Sequence, residues 1–165
     1  MQLNHYLNFD GQTEAAFNFY KSVFGGEFAT FMRYGDLPSD ESSSALSEAD
    51  QQKIMHVSLP INTSTILMAS DTNDQFCAQS NTVFTVGNNH YISINLDAHE
   101  QADAKRLFDA LSVNGKIEMP LEKTFWGRTL RCIYRSIWSE MDGELPIRRG
   151  IKASSFKHQY LKIAQ

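Results

Sequence analysis

Few side chains in this 165-residue sequence are placed for chemistry, and each has a structural alternative. His56 lies in Ile54-Met55-His56-Val57, where strand alternation groups it with Ser58 and away from Val57. An imidazole there either lines a binding face as a proton donor or acceptor or sits hydrogen-bonded within a sheet. No carboxylate stands at a recognisable spacing to pair with it in acid–base work. Phe125-Trp126 precedes Gly127. The indole would stack on a flat ligand while donating one hydrogen bond, or else pack in a core or dimer contact. Asp71, after Met68-Ala69-Ser70, faces the mouth of a binding cleft or caps a turn. His99 and His158 read as solvated residues. Cys77 has no clear His partner and is not a nucleophile. His99-Glu100 lacks a second His four residues on, and neither a nucleophile elbow nor a phosphate loop occurs.

The elements that would position these residues follow from periodicity. Leu3 to Phe9 reads as a strand that stops at the turn-forming Asp10-Gly11. From Thr13, the apolar positions Ala16, Phe17, Tyr20, Val23 and Phe24 follow helical spacing, and Gly25-Gly26 supplies a left-handed cap. Glu27 to Tyr34 returns to strand composition, and the Ser- and acid-rich Leu37 to Gln52 reads as a loop. Lys53 to Leu59 and Thr63 to Ala69 form a hairpin about Pro60-Ile61-Asn62. After a polar connector from Asp71 to Asn89, the order begins again. His90 to Leu96 is a strand, and Asp97 with Glu100 forms a capping box. A helix with the stripe Ala104, Leu107, Phe108 and Leu111 ends at Asn114-Gly115, and Lys116 to Pro120 resumes a strand. His5-Tyr6-Leu7-Asn8-Phe9-Asp10 against His90-Tyr91-Ile92-Ser93-Ile94-Asn95-Leu96-Asp97 repeats the opening of the unit. The expectation is an α+β fold of two β-α-β-β-β modules whose half-sheets face each other across a cleft. Module one is 1–72, the connector 73–88, module two 89–134 and a tail 135–165, all in a single domain.

Composition narrows the function classes. Hydrophobic residues are 42% and charged residues 21%, and eleven Phe, six Tyr and two Trp supply core area, which argues against disorder. A formal charge of −4 offers phosphate backbones or anionic lipid no general attraction, so neither nucleic acid nor a membrane is expected as a partner. Cys77 and Cys132 make neither a disulfide scaffold nor a paired zinc-site pattern. No stretch approaches the roughly 20 apolar residues of a membrane span, so the chain reads as soluble and cytoplasmic.

A set of segments then resembles one family: Asn8-Phe9-Asp10-Gly11, Phe19-Tyr20-Lys21-Ser22-Val23-Phe24-Gly25-Gly26, Arg33-Tyr34-Gly35-Asp36, Ile54-Met55-His56-Val57, Leu67-Met68-Ala69-Ser70-Asp71, Asn114-Gly115-Lys116-Ile117-Glu118-Met119 and Thr124-Phe125-Trp126-Gly127. In this order they resemble the PhnB-like branch of the vicinal oxygen chelate superfamily, which includes glyoxalase I and the bleomycin and fosfomycin resistance proteins. The resemblance implies a cupped mixed sheet of paired modules, a homodimer, and a small molecule held in the cup. In many members it also implies a divalent metal such as zinc, nickel or manganese. The methyltransferase label that some PhnB-like sequences carry is not expected to apply, because Phe24-Gly25-Gly26-Glu27 ends a helix and no glycine-rich nucleotide-binding turn is present.

By the same resemblance, His5 stands about fourteen residues before Phe19-Tyr20, where metal-dependent glyoxalases present a ligand, although PhnB-like relatives usually carry proline there. The second ligand position falls near Met68 to Ser70, where an acid is expected, and Met68 is a poor donor for a hard or borderline cation. In module two the matching position falls at Tyr91, with His90 adjacent on the opposite strand face. The implied cup is lined by His5, His56, Met68, Tyr91 and Trp126, with His5 the candidate metal ligand. Three functions are open: a binding protein without an obligatory metal, a lyase, isomerase or transferase using a metal at His5 as Lewis acid, and a dimeric scaffold with a degenerate cup.

After Gly127 the sequence departs from that family, whose members finish with a strand resembling DPFGVKWMVN. Codons can be chosen for Arg135 to Leu145 that encode such an ending when read one base later, so a shifted reading frame would account for the change. The tail, with Lys152, Lys157 and Lys162 beside Phe156, Tyr160 and Leu161, is expected to form an amphipathic helix over a sheet edge or against a partner chain.

Overall fold

Leu7 and Phe9 alternate with Tyr6 and Asn8 along the first strand, and only the apolar pair is buried. This two-residue period gives a sheet with one face for a core and one face left open. The computed structural model describes residues 2–38, 46–73, 84–85, 91–96, 101–113, 115–123, 129–135 and 159–164. Its elements are β1 (His5–Phe9), α1 (Thr13–Phe24), β2 (Thr30–Arg33), a 3-10 turn (Tyr34–Asp36), α2 (Glu48–Gln52), β3 (Ile54–Pro60) and β4 (Ile66–Asp71). They are followed by β5 (Tyr91–Asn95), α3 (Gln101–Ser112), β6 (Gly115–Lys123), β7 (Thr129–Arg135) and β8 (Gln159–Ala164). The chain divides into two compact units, Met1–Phe84 and Thr85–Gln165.

Each unit carries one mixed four-stranded sheet, in the order β1-β4-β3-β2 and β5-β8-β7-β6. The β1–β4 and β5–β8 pairs are parallel, and the remaining neighbours are antiparallel. The β-α-β-β-β order read from the sequence is therefore present twice, and the fold class is α+β. In the first unit, α1 packs on β3 and β4. Ala16, Phe17, Tyr20 and Val23 meet the face made by Leu7, Phe9, Val57, Leu59, Leu67 and Ala69. Phe17 and Tyr20 pack edge to face at 5.7 Å, and full burial of the Phe17 ring alone removes enough area to stabilise by about 2–3 kcal/mol. The helix ends where expected: Gly25 and Gly26 take φ of +78° and +82°, and the Gly25 N–H donates to the Lys21 carbonyl at 2.8 Å. In the second unit, Ala104, Leu107, Phe108 and Leu111 are buried on α3, which packs on β6 and β7. Asp97 and Glu100, the expected capping box, lie outside the described residues.

Two expectations are corrected. The tract from Leu37 to Gln52 is not loop throughout, because Ser47 caps the five-residue α2 by accepting the Asp50 N–H at 3.1 Å. The tail does not end as an amphipathic helix: Gln159 to Ala164 is β8, paired to β5 on one side and β7 on the other. A strand inserted between two others has both rows of its backbone groups satisfied, and Leu161 and Ile163 alternating with Tyr160 and Lys162 suit that period. Residues 136–158, which include Ile137 to Leu145, lie outside the described residues.

The start of α1 is held from a distance. Gln12 provides no side-chain cap; Asp71, at the end of β4 and 3% exposed, does so instead. Its Oδ1 accepts from the Thr13 N–H (3.0 Å) and hydroxyl (2.7 Å), and its Oδ2 accepts from the Ile54 N–H (2.8 Å). A carboxylate at a helix N-terminus also complements the helix dipole. Asp71→Ala leaves three buried donors without an acceptor and is expected to cost about 3 kcal/mol, with Asp71→Asn intermediate because one oxygen remains. Urea unfolding followed by far-ultraviolet circular dichroism measures both; a loss below about 1 kcal/mol for Asp71→Ala contradicts this role.

A smaller effect is set by pH. Asp50 is held below the usual carboxylate range first by its hydrogen bond to Lys53 and then by the bond from Ser47. Its folded value is depressed, so its contribution is whole above about pH 4 and fades as pH falls through the lower folded value. Asp50→Asn is expected to destabilise by less than about 1 kcal/mol at pH 6 and to match the unaltered chain near pH 2. A difference that persists unchanged into acid rules the ion pair out as its cause.

Candidate functional site

The face of the first half-sheet opposite α1 gathers the polar and polarisable side chains. Register places Tyr6 opposite Met68, Met68 opposite Ser58, and Ser58 opposite Thr30, one row across all four strands. In the next row, Asn8 lies opposite Ser70 and His56 opposite Met32. Tyr6 is 46% exposed and Met32 36%, while His56 and Met68 are half-buried. The Tyr6 hydroxyl and His56 Nδ1 share a hydrogen bond of 3.2 Å, and the two rings stack with centroids 5.7 Å apart and planes at 24°. The phenol reaches diagonally across β4 to do this. With Nδ1 engaged, Nε2 is the imidazole nitrogen available to a ligand. The Ser70 hydroxyl donates to the Asn8 Oδ1 at 3.3 Å.

The expected site residues distribute unevenly. His56 and Met68 share this open face. His5 pairs with Leu67 and stands two and four residues before Leu7 and Phe9, on the same strand face, so it belongs to the helix side of the sheet. The open-face place expected of His5 is taken by Tyr6, since a step of one residue along a strand reverses the facing. Tyr91 opens β5 and pairs with Tyr160 in the second half-sheet. Trp126 lies outside the described residues. Tyr6 and Met32 were not singled out from the sequence. The signal for Tyr6 was nevertheless present: in His5-Tyr6-Leu7-Asn8-Phe9 the wholly apolar pair, Leu7 and Phe9, marks the core face, which leaves Tyr6 and Asn8 outward. Met32 carries no such signal, because its facing follows from the pairing of β2 with β3.

A divalent centre does not fit this face. Among the described residues no three His, Cys, Asp or Glu side chains converge to hold a metal ion. The paired strand positions of the open face offer one imidazole, two thioethers and neutral oxygen groups, with no carboxylate. Zinc, nickel and manganese favour imidazole, carboxylate or thiolate sets instead.

A concavity of about 430 Å³ opens between α1, β2 and α2 and is lined by Glu14, Arg33, Gln52, Lys53 and Asp71 among others. Its charged groups already compensate one another. Arg33 Nη2 donates to both oxygens of Glu14 (2.8 and 2.9 Å) and Nη1 to the Gln52 carbonyl (2.6 Å). Lys53 meets Asp50 at 2.7 Å, and Asp71 is committed to Thr13 and Ile54. A ligand entering here would have to break these pairs, so the cluster is structural. Asp71 accordingly neither faces a binding mouth nor caps a turn; it caps a helix.

Known proteins share this fold. The family model described as Glyoxalase/Bleomycin resistance protein/Dioxygenase superfamily matches residues 2–131. Protein YjdN of Escherichia coli (strain K12) is 28% identical over 131 residues, which covers 76% of this chain and 82% of that protein. The crystal structure of protein PA1353 from Pseudomonas aeruginosa superposes with a TM-score of 0.67 at 26% identity, covering 99% of this chain and 97% of that one. The PhnB protein from Bacillus cereus follows with a TM-score of 0.54 at 18% identity over 99% of both chains, a likeness of fold alone. With the family model spanning most of the sequence and the doubled β-α-β-β-β order in place, the chain belongs to the glyoxalase/bleomycin resistance protein/dioxygenase superfamily.

Proposed function

We propose that this protein binds a small organic molecule on the open face of its first half-sheet, with no obligatory metal, and that it works as a cytoplasmic homodimer. The observation that carries the reading is the Tyr6–His56 pair: an aromatic ring stacked on a hydrogen-bonded imidazole, flanked by Met32 and Met68. Aromatic and thioether surface favours a flat, conjugated ligand, and His56 Nε2 supplies the polar contact that orients it. Two cysteines without a disulfide framework suit a reducing compartment. Among the described residues no helix is long and apolar enough to cross a membrane, which accords with a soluble binding protein.

A library of planar aromatic fragments, screened by nuclear magnetic resonance on protein with labelled methionine methyl groups, tests the site. Binders are expected to move the Met32 and Met68 signals. Tyr6→Ala and His56→Ala should each weaken them about tenfold, equivalent to about 1.4 kcal/mol. Fragments that bind while leaving both methyl groups and both variants unaffected place the ligand elsewhere. Sedimentation equilibrium at micromolar concentration should give the mass of two chains, and a single-chain mass discards the homodimer.

A further inference from the structure

The chemistry of the open face points beyond an organic ligand. Met32 stands directly across from His56, and Met68, across from Ser58, is one diagonal step from His56 on the same face. Diagonal neighbours on a sheet are about 7–8 Å apart along the backbone, within reach of long side chains. The bond from Tyr6 holds Nδ1 of His56 and leaves Nε2 for coordination. That is the usual arrangement of a metal-binding imidazole, whose second nitrogen is fixed by an outer partner. The other paired positions of the face, Asn8, Thr30, Ser58, Pro60, Ile66 and Ser70, are uncharged. Thioether sulfur is a soft donor that selects copper(I), and a neutral donor set suits a monovalent ion better than a dication, which gains from carboxylate charge.

We propose that Met32, His56 and Met68 form a copper(I) site, with two thioether sulfurs and His56 Nε2 as ligands and Tyr6 as the positioning residue. Met32 is 36% exposed, which leaves the site open to an ion arriving from solvent. The site shares its face with the proposed organic ligand but does not rest on that reading; either can fail while the other stands.

Thiols compete for copper(I), so the test uses the Cys77→Ser, Cys132→Ser chain, titrated without oxygen against a chromophoric copper(I) chelator. One equivalent is expected to bind, with sulfur and nitrogen neighbours in the X-ray absorption spectrum. Met32→Leu and Met68→Leu conserve volume and remove only the thioether; each is expected to lower affinity at least tenfold, as is His56→Gln. Tyr6→Phe keeps the ring and removes the hydroxyl. It should lower affinity about tenfold and spread the nitrogen resonances of His56 over both tautomers, which a merely structural Tyr6 would not do. In the unaltered chain, silver(I) as a redox-inert substitute should shift the Met32 and Met68 methyl signals, a readout that needs no variant to fold. The proposal is overturned if the cysteine-free chain, folded by circular dichroism, takes up no copper(I). It is equally overturned if binding is indifferent to both Met→Leu changes, or if silver(I) shifts only other methionines.

Discussion

The buried carboxylate of Asp71 is the contact on which the first module depends. Three donors from two elements converge on its two oxygens, and the Tyr34 hydroxyl adds a bond to its backbone carbonyl at 3.1 Å. The next residue, Thr72, donates its N–H to the Phe9 carbonyl at 2.7 Å. The end of β4 is thereby joined to the end of β1, the start of α1, the start of β3 and the turn after β2. A buried carboxylate is tolerable only when its hydrogen-bonding capacity is filled, and here the filling groups are the Thr13 hydroxyl and two backbone donors that a helix start and a strand start would otherwise leave unsatisfied. The helix consequently needs no local cap, and Gln12 supplies none.

With α1 anchored, the two faces of the sheet acquire different chemistry. The helix covers Leu7, Phe9, Val57, Leu59, Leu67 and Ala69, and the intervening residues are left for another purpose. That is why Tyr6, Met32, His56 and Met68 come together although they lie on four different strands and span more than sixty positions of sequence. None is near another along the chain, apart from the hairpin relation of His56 and Met68. The register of a parallel pair and two antiparallel pairs assembles them, and the same register excludes His5.

The second module reaches the same strand order with a longer stretch of sequence, 136–158, before its last strand. The strand between β5 and β7 is drawn from Gln159 to Ala164, beyond residue 131, where the match to the family model ends. A parallel neighbour of β5 must arrive by a crossover from the far end of the module, whereas an antiparallel one could follow a tight turn. The position opposite β5 is thus defined by topology, and the segment that fills it need only present a strand-compatible pattern.

The elements were legible where they rest on local rules. Helical spacing from Thr13 and across Ala104 to Leu111, the glycine stop at Gly25-Gly26 and the hairpin about Pro60-Ile61-Asn62 follow from periodicity and turn chemistry within a dozen residues, and the restart of the order at His90-Tyr91 pointed to a second module. Family membership followed from a run of short segments in order. Strand alternation, a local property, set His56 on the face away from Val57, whereas Met68 was named through the family resemblance. The sequence did not disclose the cap from Asp71 to Thr13, fifty-eight positions away, the place of Met32, or the strand role of Gln159 to Ala164. Each is decided by which backbone lies beside which. Pairing register and burial are properties of the assembled sheet, whereas composition and period are written along the chain itself.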